Sequence, residues 1–183
     1  MKIWYDTEFI EDGRAIGLIS VGMVAEDGRE YYAVNRDMPV KRIRRHPWLM
    51  TNVVPSLPHG HGDRKNTIPR RWLFDYYDPC VRTRSRIADN VRDFIRETPS
   101  PELWAWYGAY DHVVLCQLWG PMVSLPNGVP MWTNDLKQEA QRLGNPQVPQ
   151  QDHGQHNALA DARHNKVIAE FLDLAARRQR VKG

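Results

Sequence analysis

The sequence predicts an α/β protein built on one mixed five-stranded sheet with helices on both faces. Three stretches near the N-terminus alternate in the way of β-strands and are joined by short turns, which indicates an antiparallel meander. Further along, segments with helical spacing alternate with short strand-like segments, which is typical of a sheet covered by helices. A length of 183 residues suits a single domain, 1–183.

The first half of the chain supplies the meander and an insertion. Residues 2–9 alternate and are rich in β-formers, residues 16–28 end in a Glu-Asp-Gly turn, and residues 29–35 resume an extended pattern. A short basic helix is predicted from about 38 to 50. Prolines and glycines then interrupt the chain, so residues from about 50 to 86 are predicted to form a loop-rich basic insertion.

The second half alternates helices and strands. Apolar residues recur at helical spacing after the insertion, and Asp135 and Gly144 are placed to begin and end a helix. The predicted elements are a helix over 87–97, a strand over 102–108, a helix over 111–119, a strand over 131–134, a helix over 135–144, a helix from about 156 to 176, and a frayed basic tail from about 177 to 183.

Composition narrows the class of protein. A net charge of +3 is too small to indicate nucleic-acid binding by itself. The two cysteines, Cys80 and Cys116, are far apart, which argues against a disulfide scaffold or a thiolate zinc site and fits the reducing cytoplasm. No stretch has the apolar length of a membrane span, so no membrane association is expected.

Positive charge is nevertheless concentrated in the insertion. Between residues 64 and 86 seven basic residues face two acidic ones, and aromatic residues lie among them. Basic and aromatic side chains together suit phosphate contact and base stacking, so this basic patch is predicted to guide a single-stranded tail. A solvated loop or a subunit contact is the alternative. The basic residues are Arg64, Lys65, Arg70, Arg71, Arg82, Arg84 and Arg86, and the aromatic residues are Trp72, Phe74, Tyr76 and Tyr77.

Two carboxylates lie on one face of the first predicted strand. Asp6 and Glu8 are two residues apart, so their side chains project from the same side, roughly 7 Å apart along the strand. Trp4 shares this face, which suggests that the face is covered. Adjacent carboxylates in partly dry surroundings take up a proton unless a cation neutralises them. For this pair alone, an exposed strand end is the alternative.

Asp161 lies on the apolar stripe of the last predicted helix, because Ile168 and Leu172 follow it at close to whole helical turns. A carboxylate that faces a sheet needs a partner. Small alanine side chains surround it and permit close approach of helix and strand. A metal ion shared with the strand is favoured, and a buried salt bridge or a position just outside the core is the alternative.

Two further residues are candidates for the same site. Asp111 follows a predicted strand and opens an apolar helical run, where an active-site acid or an ordinary helix N-cap would be placed. His156 lies five residues before Asp161, and an imidazole there could act as a general base near neutral pH. An end-capping or surface histidine is the alternative, and His153 and His164 are its rivals.

Together these motifs resemble those of a known superfamily. The DTE of Asp6–Glu8, Asp111 in GAYDHVVL, and HNALADA from His156 to Ala162 are similar to the three motifs of the DEDDh 3'-5' exonucleases, which include ribonuclease T and oligoribonuclease. The H-x-A-x-x-D motif is the most specific. The compact length and the DTEF start look closest to the short mycobacterial exoribonucleases that act on polyadenylate. The resemblance does not extend over residues 39–86.

The resemblance implies a ribonuclease H-like fold, two divalent ions, and release of nucleoside 5'-monophosphates from a 3' end. On that basis Asp6, Glu8 and Asp161 would hold one Mg²⁺ or Mn²⁺. Asp6 would help Asp111 to place a second ion, and His156 would be the general base. Oxygen ligands suit these hard ions and disfavour zinc.

The implied partner is RNA with a single-stranded 3' end or overhang. Thr7 is predicted to touch the terminal ribose and Phe9 to abut its base, with Phe9 as an ordinary core residue the alternative. The polar loop over 144–155 is predicted to be mobile and to bring His156 into place on binding. A homodimer is expected by analogy with relatives.

Two other functions stay open on sequence alone. A non-catalytic RNA-binding domain could keep the same scaffold and basic patch. A DNA-directed proofreading or repair exonuclease could use the same metal chemistry, because contacts to the 2'-hydroxyl decide the choice of sugar.

Overall fold

The described residues of this computed structural model, 1–60 and 72–182, form one mixed sheet with helices on both faces. The α/β fold class and the antiparallel meander are confirmed, and the later strands pair in parallel. The strands are β1 (Lys2–Glu11), β2 (Ile16–Ala25), β3 (Glu30–Asn35), β4 (Val81–Arg82), β5 (Glu102–Ala105) and β6 (Asn134–Asp135). Their spatial order is β4-β3-β2-β1-β5-β6, which places β1 inside the sheet.

Helices supply the second and third layers. Asp135 caps the helix that follows it by accepting bonds from the backbone N–H groups of Lys137 and Gln138, and Gly144 adopts the left-handed conformation beyond its end, both as predicted. The described helices are α1 (Val40–Ile43), α2 (Pro47–Asn52), α3 (Arg84–Arg96), α4 (Ala109–Cys116), α5 (Leu136–Arg142) and α6 (Ala158–Lys182), with short 3₁₀ turns at Val54–Ser56, Gln117–Trp119 and Met122–Ser124.

The sheet differs from the prediction at one edge. Strand β4 makes a sixth described strand, because Val81 and Arg82 pair in parallel with Val34 and Asn35. This short pairing falls inside the predicted insertion, where no alternating pattern marks a strand of only two residues. The predicted helix over 38–50 is divided into α1 and α2, because Pro47 begins a new helix with His46 as its cap.

Parts of the predicted insertion are built into the core. Trp72 is 2% exposed and Phe74 is 6% exposed, and both pack in a cluster with α2 residues. Their predicted role as stacking partners for bases is therefore wrong, because both rings are buried in this cluster and are not available at the surface. Tyr76 and Tyr77 are exposed. Arg64, Lys65, Arg70 and Arg71 of the basic patch lie outside the described residues.

The last helix is longer than predicted. It begins at Ala158 and continues to Lys182, so residues 177–182, which were expected to fray, continue the helix. Among the described helices, none combines the length and the apolar character that crossing a membrane requires.

Strand β1 separates two of the core clusters through its alternation. Ile3 and Tyr5 pack on one face with residues of α3 and α4, whereas Trp4 packs on the other with residues of α5 and α6. Continuing this period of two along the strand directs Asp6 and Glu8 toward α6 and Thr7 toward α4. The strand therefore presents neighbouring side chains to two different helices.

Candidate active site

One cavity of about 670 Å³ contains every residue that the sequence predicts for the site. It lies where the second half of β1 meets the first turns of α4 and α6. The predicted residues that line it are Asp6, Thr7, Glu8, Phe9, Asp111, His156 and Asp161. Three separate parts of the sequence thus converge on one space.

Three carboxylates form the centre of the cavity. One oxygen from each of Asp6, Glu8 and Asp161 lies within 4.8 Å of the others. Asp6 and Glu8 come from one face of β1, and Asp161 comes from the first turn of α6. Glu8 is only 7% exposed. This spacing is short enough for all three groups to contact one cation.

Two contacts that the sequence did not reveal fix α6 against the sheet. Gly22 of β2 lies so close to the start of α6 that a Cβ atom there would be 2.3 Å from the backbone of Ala158. One turn beyond Asp161, the buried Asn165 donates from Nδ2 to the carbonyl oxygen of Tyr5 in β1, at 3.0 Å. These contacts hold Asp161 opposite the two carboxylates of β1.

A residue of β1, Thr7, also fixes the position of Asp111 by hydrogen bonding. The backbone N–H and the hydroxyl of Thr7 both donate to Oδ1 of Asp111, at 2.9 and 2.6 Å. The N-cap of α4 is Gly108, so the alternative that Asp111 is an ordinary N-cap is wrong. Gly108 in turn donates its N–H to Oδ2 of Asp135 at 3.0 Å, which ties the start of α4 to the end of β6.

The four carboxyl groups are electrostatically strained. Burial is the main cause that raises the pKa of each of them, and at Asp6 the neighbouring carboxylates raise it further. The pKa of Glu8 rises to about 8, first through desolvation and then through Asp161 and Asp111. Within residues 1–60 and 72–182, no lysine or arginine lines the cavity. The cluster therefore needs protons or added cations to relieve its repulsion.

His156 faces this cluster. Its Nδ1 atom lies 3.9 Å from Oε1 of Glu8, and its backbone has a φ of 61°, a conformation uncommon for residues other than glycine. His164 also lines the cavity, from α6, whereas His153 is exposed and is not among the lining residues. An imidazole beside acidic groups in a concave site can accept a proton from a bound reactant.

Phe9 joins the cavity to the surface of α4. Its ring stacks on that of Tyr110, with centroids 6.0 Å apart and planes 13° apart. Phe9 also packs against the core cluster formed with α3 and α4. Both uses weighed for this residue are thus compatible with its position, and Tyr110, which is 62% exposed, adds an aromatic surface that the sequence motifs did not indicate.

Comparison with known proteins identifies the family. Two solved structures align with most of the chain at low similarity. S. pombe Pop2p in its Mg²⁺- and Mn²⁺-bound form is 12% identical with a TM-score of 0.45, and the alignment covers 96% of this chain and 83% of that chain. The yeast NOT1 MIF4G domain co-crystallized with CAF1 matches with 13% identity and a TM-score of 0.47, and the alignment covers 97% of this chain and 80% of that chain. The sequence is 47% identical to the 3'-5' exoribonuclease Rv2179c of Mycobacterium tuberculosis over 165 residues, which covers 89% of this chain and 88% of the relative.

The resemblance to the short mycobacterial 3'-5' exoribonucleases is confirmed by these similarities. Residues 70–172 match the family described as the 3'-5' exoribonuclease Rv2179c-like domain. The chain therefore belongs to the Rv2179c-like family of 3'-5' exoribonucleases.

Proposed function

We propose that this protein is an exoribonuclease of the DEDDh type that depends on divalent metal ions. It hydrolyses RNA from single-stranded 3' ends or overhangs and releases nucleoside 5'-monophosphates. The observation that carries the proposal is the cluster of Asp6, Glu8 and Asp161, whose oxygens lie within 4.8 Å of one another. Within the described part of the chain no lysine or arginine lines their cavity, so metal cations are the natural partners of these groups.

The ligand set fits hard divalent ions. Every candidate donor is a carboxylate oxygen, which suits Mg²⁺ and Mn²⁺ and disfavours zinc. Asp6, Glu8 and Asp161 would hold one ion, and Asp6 and Asp111 would contribute to a second. When bound, two such ions supply an activated water and stabilise the charge on the leaving oxygen.

The remaining residues would prepare the reaction around that centre. His156 would act as the general base, because its ring faces Glu8 from within the cavity. Thr7 keeps Asp111 in place through two hydrogen bonds, so we assign it a positioning role in addition to the predicted ribose contact. Phe9 lines the cavity and would contact the terminal base.

RNA is favoured over DNA because the sequence is 47% identical to a 3'-5' exoribonuclease over most of its length. A non-catalytic RNA-binding role is disfavoured because a bare phosphate-binding surface would not require four carboxylates in one cavity. The homodimer and the cytoplasmic location expected from the sequence stay predictions, as does the mobility of the loop over 144–155.

The test compares matched RNA and DNA substrates with single-stranded 3' tails, each with and without Mg²⁺. We expect mononucleotides to be released from the RNA only when Mg²⁺ is present, and Asp6→Asn to lose this activity. Asp12→Asn is the matched control, because Asp12 is an exposed acid beyond the end of β1 and is not among the cavity residues. Metal-independent cleavage, or equal activity of the Asp6→Asn variant, would contradict the proposal.

A further inference from the structure

The segment from Pro47 to Ser56, which the sequence leaves without a function, reaches across the molecule to His156. Oγ of Ser56 lies 2.7 Å from the carbonyl oxygen of His156, at a sequence separation of 100 residues. The indole of Trp48 meets the imidazole edge to face, with ring centroids 4.9 Å apart and planes at 78°. One contact holds the backbone of His156, and the other holds its ring.

These contacts act on a residue that needs support. A φ of 61° is a left-handed conformation, which is unfavourable for a residue other than glycine. Such a conformation persists when the surroundings over-determine it. The imidazole has several accessible directions, and only some of them lead toward Glu8, whose Oε1 atom is 3.9 Å from Nδ1. The backbone and ring contacts together select that direction.

The segment itself is firmly anchored. Leu49, Met50, Val53 and Val54 are buried in the core cluster that also contains Trp72. The N–H of Leu49 is bonded to Nδ1 of His46, which caps α2. A side chain presented by a rigid element locates its partner more precisely than one presented by a free loop.

We propose that Ser56 and Trp48 are positioning residues that hold His156 in the orientation required for catalysis. This inference rests on the proposed function, because it gives His156 the role of general base. The hydroxyl of Ser56 also lies 2.8 Å from the carbonyl oxygen of Val53, so its single proton serves two acceptors. The tether is therefore a shared hydrogen bond that is reinforced by the aromatic contact.

The kinetic test uses Ser56→Ala, with Ser56→Thr as the conservative variant that keeps the hydroxyl. We expect Ser56→Ala to lower kcat about five- to tenfold, the loss that corresponds to one hydrogen bond, and to change KM less than twofold. Ser56→Thr should recover most of the rate. Thr51→Ala is the matched control, because Thr51 lies on α2 and, among residues 1–60 and 72–182, its hydroxyl donates only to the carbonyl oxygen of Pro47 in the same helix. It should behave like the wild-type protein.

A double-mutant cycle separates positioning from a general effect on the fold. In a His156→Ala background, Ser56→Ala should produce no further loss in the residual rate, because the group that it positions is gone. Persistence of the full loss in that background would overturn the proposal. A wild-type kcat for Ser56→Ala would also overturn it.

A spectroscopic measurement on the metal-free protein tests the same idea without activity. The ring C–H signal of His156 should be single and sharp in the wild-type protein. It should broaden or split in Ser56→Ala and in Trp48→Leu, because the ring then samples several orientations. Unchanged spectra in both variants would overturn the inference even if the protein is an active exoribonuclease. If the His156 signal broadens in both variants but the wild-type protein has no nuclease activity, the positioning contacts stand and only the proposed function is contradicted.

Discussion

Replacing Glu8 with Gln should make the metal-free protein more stable while it removes activity. Glu8 is 7% exposed and has two other acids within 4.8 Å in the cluster with Asp6 and Asp161. A neutral amide of almost the same shape removes the charge and the repulsion but keeps the packing. The gain should depend on pH, because what disappears is the cost of keeping Glu8 protonated in the folded state at pH values where the unfolded chain ionises it.

The magnitude follows from the raised pKa of Glu8, about 8 in the folded protein against 4.5 as its ordinary value. Below pH 4.5 the group is protonated in both states and costs nothing. As the pH rises toward 8, the unfolded chain ionises while the folded protein keeps its proton, so folding loses stability over this window. The penalty is on the order of 4 kcal/mol at pH 8 and about 1 kcal/mol at pH 5.

Urea unfolding in EDTA at the two pH values measures this difference. Glu8→Gln should raise the free energy of unfolding by most of the penalty at pH 8 and by little at pH 5. Glu170→Gln is the control, because Glu170 is exposed on α6, and it should change stability by under about 0.5 kcal/mol at either pH. If Glu8→Gln is no more stable than the wild-type protein at pH 8, the buried-charge reasoning is wrong.

Three further predictions test the supports of the site. Mg²⁺ should raise the Tm of the wild-type protein but not of Asp161→Asn in a thermal scan, and an equal shift in both would contradict a shared ion site. Gly22→Ala should lower the free energy of unfolding by about 1–3 kcal/mol in urea, because its Cβ would overlap the backbone of Ala158; an unchanged midpoint would refute this. Thr7→Val should lower kcat by removing one of the two hydrogen bonds that hold Asp111, whereas Thr7→Ser should retain the rate, and equal rates in both variants would show that the hydroxyl is dispensable.

The features of the fold that follow the local periodicity of a strand or helix could be predicted from the sequence. The period of two in β1 placed Asp6 and Glu8 on one face, and the burial of Trp4 on that face agrees with it. Helical spacing placed Asp161 in line with Ile168 and Leu172, both of which are buried. Local periodicity determines the face on which a side chain lies, so it was sufficient for these residues.

Contacts between distant segments leave no such periodic trace. Nothing in the spacing of Ser56 and His156 indicates that they touch, because their sequence separation of 100 residues is bridged only by the folded chain. Asn165 follows Asp161 on the same helical face, yet its bond to the Tyr5 carbonyl depends on the docking of α6 on β1. The stacking role predicted for Trp72 is wrong for the same reason, since an aromatic residue among basic ones can stack on a base or fill a core.

The contacts that hold the carboxylate cluster in place are made by uncharged residues, Gly22, Asn165 and Thr7. The close approach at Gly22, the bond from Asn165 and the paired donors of Thr7 act without any ion, so the described fold brings the acids together before a cation binds. The repulsion between the acids then lowers the free energy of unfolding of the metal-free protein, and a bound cation removes this repulsion. Divalent-ion affinity is thereby coupled to stability. Substitutions should accordingly fall into two groups. Neutralising an acid should stabilise the metal-free protein and weaken ion binding, whereas loosening a support should lower both.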